Sequence, residues 1–156
     1  MALYPCGNLE EAKRAAQDWR EDENYRSLHD ELHKTSNWAS EEGDDADREK
    51  AGVAGWVSLC SGLLRDDLRD PHEMEIVRSK CMRVLGNLSR SCPRSRALRQ
   101  AFEDAKVSDL VLTMLQGSTV PVFYIARVAF FCNVQCRFDE SAVAEVMSSR
   151  KITESV

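Results

Sequence analysis

Two short stretches of this 156-residue chain echo each other. Val84-Leu85-Gly86-Asn87-Leu88 and Phe130-Phe131-Cys132-Asn133-Val134 place their asparagines 46 residues apart. Each closes a long apolar segment with a proline near its start, Pro71 and Pro121. Apolar residues in these segments recur at spacings of three and four, the helical period, and alternation with period two is almost absent. A repeat of this length built from helices strongly limits the available folds, because one such unit cannot bury its apolar face alone and needs a neighbour.

The helices can be placed in order. Residues 9–32 are highly charged, with few apolar positions (Ala12, Ala16, Trp19, Leu28, Leu32). So thin a stripe predicts a helix that lies on a surface or is only partly ordered. Residues 34–47 hold Glu41-Glu42-Gly43-Asp44-Asp45 and read as an acidic, turn-rich linker. Asp45 or Asp47 is expected to cap the next helix, since a side-chain oxygen there satisfies a free amide of the first turn. That helix runs to about Leu68, with Val53, Trp56, Val57, Cys60, Leu63 and Leu64 on one face. Gly52, Gly55 and Gly62 weaken it by up to ~1 kcal/mol each relative to alanine, while permitting close helix approach.

Asp70-Pro71-His72-Glu73 is the clearest helix start: a capping aspartate, proline at the first position and a glutamate placed to reach back to the cap. The helix continues through Ile76, Val77, Cys81, Val84, Leu85 and Leu88 to Cys92-Pro93, where proline disfavours helical geometry at the residue before it. A short helix bearing Leu98 and Phe102 follows, then Val107 to Leu115, then Val122 to about Arg137, then Ser141 to Ser149. The 122–137 helix is apolar nearly all round and is expected to be the most buried element.

A period of 40–47 residues with two or three helices per unit is the signature of armadillo and HEAT repeats. The expected fold is an all-α, armadillo/HEAT-like α-α superhelix. Residues 1–45 form an acidic helical and linker segment. Residues 46–156 form the repeats, about two to two and a half of them. The helix at 122–137 calls for a further neighbour, so the solenoid is expected to be short or truncated at its C-terminal end.

Charge narrows the function classes. Net charge is −5, which disfavours a nucleic-acid surface, because affinity there comes mainly from neutralising phosphates. The charge is uneven: residues 1–50 carry 14 acids and 7 bases, whereas residues 81–107 carry 6 bases and 2 acids. No window of ~18 apolar residues suggests a transmembrane helix, and the N-terminus lacks the basic and apolar regions of a signal peptide. A cytoplasmic location is the expectation. Cys6, Cys60, Cys81, Cys92, Cys132 and Cys136 are then read as free thiols, mostly buried, in a reducing compartment.

Chemistry is harder to find. His29 and His33 stand at i and i+4, as in a zinc protease, but Asp30 occupies the place of the glutamate and Glu31 is displaced. Three protein ligands plus a water are also needed, and the third histidine is the distant His72. A solvated helix face is the expected role, with a metal-dependent enzyme a distant alternative. Cys132 and Cys136, also at i and i+4, lack a second pair. There is no Gly-x-Ser-x-Gly elbow and no phosphate-cradling loop. The reading is a non-enzymatic protein with no cofactor and no metal.

The arginines are the polar feature of interest. Arg83, Arg90, Arg94, Arg96 and Arg99 fall within 17 positions that contain no lysine. They form either a solvated face or the basic rim of a groove for an acidic or C-terminal peptide, contacts for which the planar guanidinium is suited. Arg127, inside the apolar 122–137 helix, requires a partner if buried and otherwise joins that groove.

Arg78-Ser79-Lys80-Cys81-Met82-Arg83-Val84-Leu85-Gly86-Asn87-Leu88, followed by Phe123-Tyr124-Ile125-Ala126-Arg127-Val128-Ala129-Phe130-Phe131, resembles the synembryn family. Its members are armadillo-like chaperones and guanine nucleotide exchange factors for G-protein α subunits. Phe123, Arg127 and Phe130 match the family's spacing, and the likeness covers about residues 73–140. It implies a helical regulator that binds a Gα subunit. The first 70 residues lie outside it, and a full member would continue for several more repeats, including those that grip the Gα C-terminal helix. The other reading is a general armadillo interaction scaffold, of the small-GTPase-regulator or ataxin-10 type, without exchange activity.

If the 122–137 helix is core, Phe130→Ala costs ~3–5 kcal/mol, as large-to-small core substitutions do. Chemical denaturation measures this; a loss below about 1 kcal/mol would place the helix at an exposed end.

Overall fold

Asn8 starts the first helix in the expected way, its side chain accepting the Glu11 amide N–H at 2.9 Å. In the computed structural model, which describes residues 5–19, 22–65, 71–107 and 109–110, every regular element is helical. These are α1 (Leu9–Gln17), α2 (Asp22–Glu41), α3 (Asp45–Ala51), a kinked turn (Gly52–Trp56), α4 (Val57–Arg65), α5 (Pro71–Ser89), a 3-10 turn (Cys92–Arg94) and α6 (Arg96–Asp104). No helix among the described residues is long and apolar enough to cross a membrane.

Contacts set the direction of each helix. The Asn8 amide donates to Glu31 at 2.6 Å and Ser27 donates to Glu11 at 3.4 Å, so α1 and α2 are antiparallel. Along α2 and α5 the pairs rise together: Lys80 with His33, Asn87 with Ser36 and Arg90 with Ser40. These two helices therefore lie side by side and parallel. The next elements do the same. Ser95, which caps α6, donates to Glu49 of α3, and Ser91 donates to Asp45; both pairs are 46 residues apart in sequence. Leu98 of α6 lies against Gly52, where an added Cβ would collide with its side chain. Arg65, ending α4, donates to the Ala105 carbonyl at 2.6 Å and the Lys106 carbonyl at 3.1 Å.

One apolar core runs through all six helices. Ala12 and Trp19, Leu28 and Leu32, Trp56 and Val57, Cys60, Val77, Cys81, Val84, Leu85, Leu88, Leu98 and Phe102 are all buried in it. Burying a leucine side chain contributes ~1.5–3 kcal/mol, so Leu28 and Leu32 make α2 a core element. That corrects the expectation of a surface helix over residues 9–32. Two helices occupy the stretch, and the stripe is thin because small alanines face the close α1–α2 contact. The expected linker at 34–47 is corrected too. α2 continues through Glu41, and the turn is confined to Glu42 and Gly43. The division at residue 45 marks a turn between helices that share this core.

The cap of α3 is Asp44, which accepts the Asp47 amide at 2.8 Å while Asp47 faces the Asp44 amide at 3.5 Å. The single helix expected to run from there to Leu68 is broken at Gly55. Its φ of +148° is open to glycine and strained for other residues. The kink leaves Val53 53% exposed, although the helical pattern had placed it on the buried face. Leu98 and Phe102 are fully buried, as their spacing predicts. The expected helices at 122–137 and 141–149, with Phe130, Phe131 and Arg127, lie outside the described residues. So does Asp70.

Two glycines separate conformational need from simple cost. At Gly55 a side chain is strained by the backbone and meets Leu9 at 3.1 Å, whereas at Gly62 a Cβ meets nothing within 4 Å. Gly55→Ala is expected to destabilise by about 1–3 kcal/mol. Gly62→Ala should stabilise by about 0.5–1 kcal/mol, because alanine suits a helix interior better. Urea midpoints of the two variants check both signs.

Candidate functional site

The seam between α2 and α5 gathers most of the chain's described polar and aromatic chemistry. Its first end is an aromatic ladder. Trp19 stacks on Tyr25 with ring centroids 5.9 Å apart, Tyr25 meets His29 at 6.3 Å, and His29 stacks on His33 at 6.2 Å with planes 8° apart. Tyr25, His29 and His33 follow each other at i, i+4 and i+8, which places them on one face of α2. The Trp19 indole donates to Glu73 of α5 at 3.0 Å. Glu73 thus ties α5 to the segment after α1, a use that the helix-start pattern does not reveal.

The ladder ends on a cation. Lys80 Nζ, which can only donate, lies 2.8 Å from His33 Nδ1. The Asn37 side-chain nitrogen, also a donor, lies 3.2 Å from Nε2, and a neutral imidazole accepts from one of the two. Packing against neighbouring groups lowers the His33 pKa below the ordinary histidine value, and the charges of Lys80, His29 and Arg83 add to this, with Asp30 opposing. His29 is lowered in the same direction, by burial and then Lys80, again opposed by Asp30. Lys80 is itself lowered, by burial and then by Arg83. Two imidazoles, an ammonium and a guanidinium therefore sit together with Asp30, a mostly exposed carboxylate 3.9 Å from His29 Nδ1.

Further along, the seam becomes structural. Asn87 donates to the Ser36 carbonyl at 3.0 Å, and Arg90 reaches the Ser40 carbonyl at 3.5 Å. Buried Arg48 of α3 donates to the Ala39 carbonyl at 2.8 Å and to Ser91 at 3.2 Å, with Asp45 at 3.5 Å. Asp45 also accepts from Arg94 at 2.5 Å, and these hydrogen bonds hold its carboxyl below the usual range.

The arginine run is thus divided. Arg90 and Arg94 bind the ends of α2 and α3, while Arg99 turns back onto the carbonyls of Cys92 and Pro93 at 2.9 and 3.2 Å. Arg83 is half-buried beside the His33–Lys80 pair, and Arg96 is exposed at the first position of α6. The structure does not bring the five together as one face. Arg127 lies outside the described residues.

The other sequence candidates resolve similarly. Glu31, adjacent in sequence to Asp30 of the His-x-x-x-His pair, accepts from Asn8 and from Lys34 at 3.2 Å. It anchors α1 on α2. No group of three or more histidine, cysteine or acidic side chains among the described residues is arranged to hold a metal ion. Cys6, Cys60, Cys81 and Cys92 are free thiols, and burial pushes Cys81 well up, with Cys60 beside it adding to the effect. The Lys80 contact of His33 carried no signal in the sequence, since the two lie 47 residues apart. No family model, curated protein or solved structure matches the chain.

The histidines make stability depend on pH. Their pKa values are depressed in the folded chain, so the unfolded chain binds protons more readily below about pH 6.5. Their stabilising contribution is complete above that pH and is lost as pH falls through the folded-state values. The melting temperature is expected to fall between pH 7 and 5, and His33→Gln should flatten that slope. An unchanged slope in the variant would place the acid sensitivity elsewhere.

Proposed function

We propose that this chain is a protein-binding helical regulator built as an armadillo-like stack, and that its partner is a G-protein α subunit. The observation that carries the stacked reading is the parallel register of α2 with α5, together with contacts between residues 46 apart at Asp45–Ser91 and Glu49–Ser95. In a stack of repeats, equivalent positions of adjacent units lie beside each other, so contact separation reports the repeat length. The same spacing separates Asn87 from Asn133 in the sequence. In this reading α3, α4 and α5 form one three-helix unit, α1 and α2 end the previous unit, and α6 opens the next.

The choice of Gα rests on the synembryn resemblance of residues 73–140, with chaperone or nucleotide-exchange activity as its implied output. Arg83, in the stretch that carries the resemblance, and exposed Arg96 are the arginines best placed to meet an acidic partner. Arg90, Arg94 and Arg99 serve the fold. The chain acts by binding, as a regulator rather than an enzyme. A general armadillo scaffold for another acidic partner is the second reading, favoured by the same stacking.

Binding of purified chain to Gα·GDP at low salt tests the choice. Arg83→Ser with Arg96→Ser should weaken binding severalfold, and the loss should shrink as salt rises, because exposed charges are screened beyond about 8 Å at physiological ionic strength. Arg96→Ser alone should hardly move the melting temperature, since exposed charges contribute ~0–1 kcal/mol per pair. Arg48→Ser, which removes the buried guanidinium shared by Ala39 and Ser91, should instead lower it. Absence of Gα binding at low salt would remove this partner and leave the general scaffold.

A further inference from the structure

The cluster formed by His29, His33, Lys80 and Arg83 shares only Arg83 with the partner reading. Four groups able to donate to an anion come from two different helices. Lys80 and Arg83 stand at i and i+3 on α5, neighbours on one face. His33 is held against Lys80 at 2.8 Å, and the His29 ring stacks behind it at 6.2 Å. The arrangement is anchored on both sides. Asn37 lies 3.2 Å from the far nitrogen of His33, and the ladder back to Trp19 supports His29.

We propose that this cluster binds a phosphate monoester, with His33 taking up a proton as the dianion arrives. Two fixed positive charges and two imidazoles match a ligand of charge near −2 with three acceptor oxygens. A carboxylate brings one charge and two oxygens and leaves donors unused. The second ionisation of a phosphate ester falls near pH 6, within the range where imidazoles titrate. In the free protein the charges of Lys80, His29 and Arg83 oppose protonation of His33, with Asp30 opposing them in turn. A bound dianion reverses the sign of that field. Lys80 Nζ, released from the ring nitrogen, then turns its protons to the phosphate oxygens, and the newly protonated Nδ1 donates as well.

The site goes beyond the Gα reading and is tested without that partner. Phenyl phosphate is titrated into the full chain while imidazole resonances are followed by NMR. The His33 pKa should rise by roughly one or more, as an opposite charge within 4–6 Å produces. Affinity should increase a few-fold from pH 7.5 to 6, the proton uptake by His33 outweighing partial protonation of the ester, and benzoate at the same concentration should bind at least tenfold more weakly. Lys80→Gln should weaken binding tenfold or more, His33→Gln should abolish the rise in affinity toward pH 6 and leave only the fall as the ester takes up its own proton, and the exposed Lys50→Gln should change neither. A phosphoserine peptide and inorganic phosphate, compared at equal concentration, separate an ester on a protein from the free ion. Tighter binding of the peptide assigns a protein source, and equal binding assigns the bare anion. A His33 pKa unmoved by phenyl phosphate in the wild-type chain overturns the proposal even if every variant fails to fold. Equal binding of benzoate overturns the choice of phosphate.

Discussion

Arg48 is the joint on which the arrangement of the two helix layers depends. Its guanidinium sits where the C-terminal end of α2, the start of α3 and the turn after α5 converge. A charge in such a place is costly unless its donors are matched. Here one donor satisfies the Ala39 carbonyl near the end of α2, where helical carbonyls lack intrahelical partners. Another reaches Ser91, which itself donates to Asp45. Asp45 faces Arg48 from within α3 and Arg94 from beyond α5. The apolar core supplies most of the attraction between the helices, but it is non-directional. The hydrogen bonds of this junction and of Asn87 with Ser36 fix which turn of α2 meets which turn of α5.

That division of labour explains what could be read from the sequence. Helical class, the α5 start at Pro71 and the inward positions Leu98 and Phe102 follow from local rules, because periodicity and proline act within a few residues; α5 itself ends at Ser89, before the expected stop at Cys92-Pro93, which form a 3-10 turn. The 46-residue offset of Asn87 and Asn133 is visible in the sequence, and Asp45–Ser91 and Glu49–Ser95 meet at the same separation, while the Asn133 element lies outside the described residues. Other features needed the third dimension. Asp44 rather than Asp45 or Asp47 caps α3 because Asp45 is drawn to Arg94, 49 residues away. Residues 9–32 read as a thin surface stripe because alanine signals little hydrophobicity, although Ala12 and Ala15 are what let α1 approach α2 closely. Gly55 was visible as a weak point, but its positive φ, which turns Val53 outward, was not.

The candidate site shows the same limit more sharply. Charge is legible in a sequence, whereas the partner of each charge is not. Five arginines between residues 83 and 99 suggested either a solvated face or one basic rim. In the structure Arg90 and Arg94 hold helix ends, Arg99 caps the turn before its own helix, and only Arg83 and Arg96 are left in positions suited to a partner. The histidine pair went the other way. Its spacing suggested a metal and its composition argued against one, so a solvated face was expected. The actual neighbour is Lys80, brought alongside by the parallel packing of α2 and α5.

The two groups of cations also differ in what they contribute to the fold. Arg48 stabilises the junction because a carbonyl, a hydroxyl and a carboxylate surround it, and the mostly exposed Arg94 pairs with the same Asp45. Lys80 and Arg83 bear like charges beside the two imidazoles, with the Asp30 carboxylate 3.9 Å from His29 opposing them, and like charges in proximity oppose folding. The stem of Lys80 crosses the seam and carries its ammonium to His33. A pair of cations kept at the parallel contact of two core helices is therefore poorly explained by stability alone. Its repulsion is relieved when a negative group arrives. Because the cluster spans both helices, that relief also strengthens the contact between them: an anion bound there links α2 to α5 midway along the seam. Ligand binding and the rigidity of the helix pair are then thermodynamically coupled, each favouring the other by the same free energy.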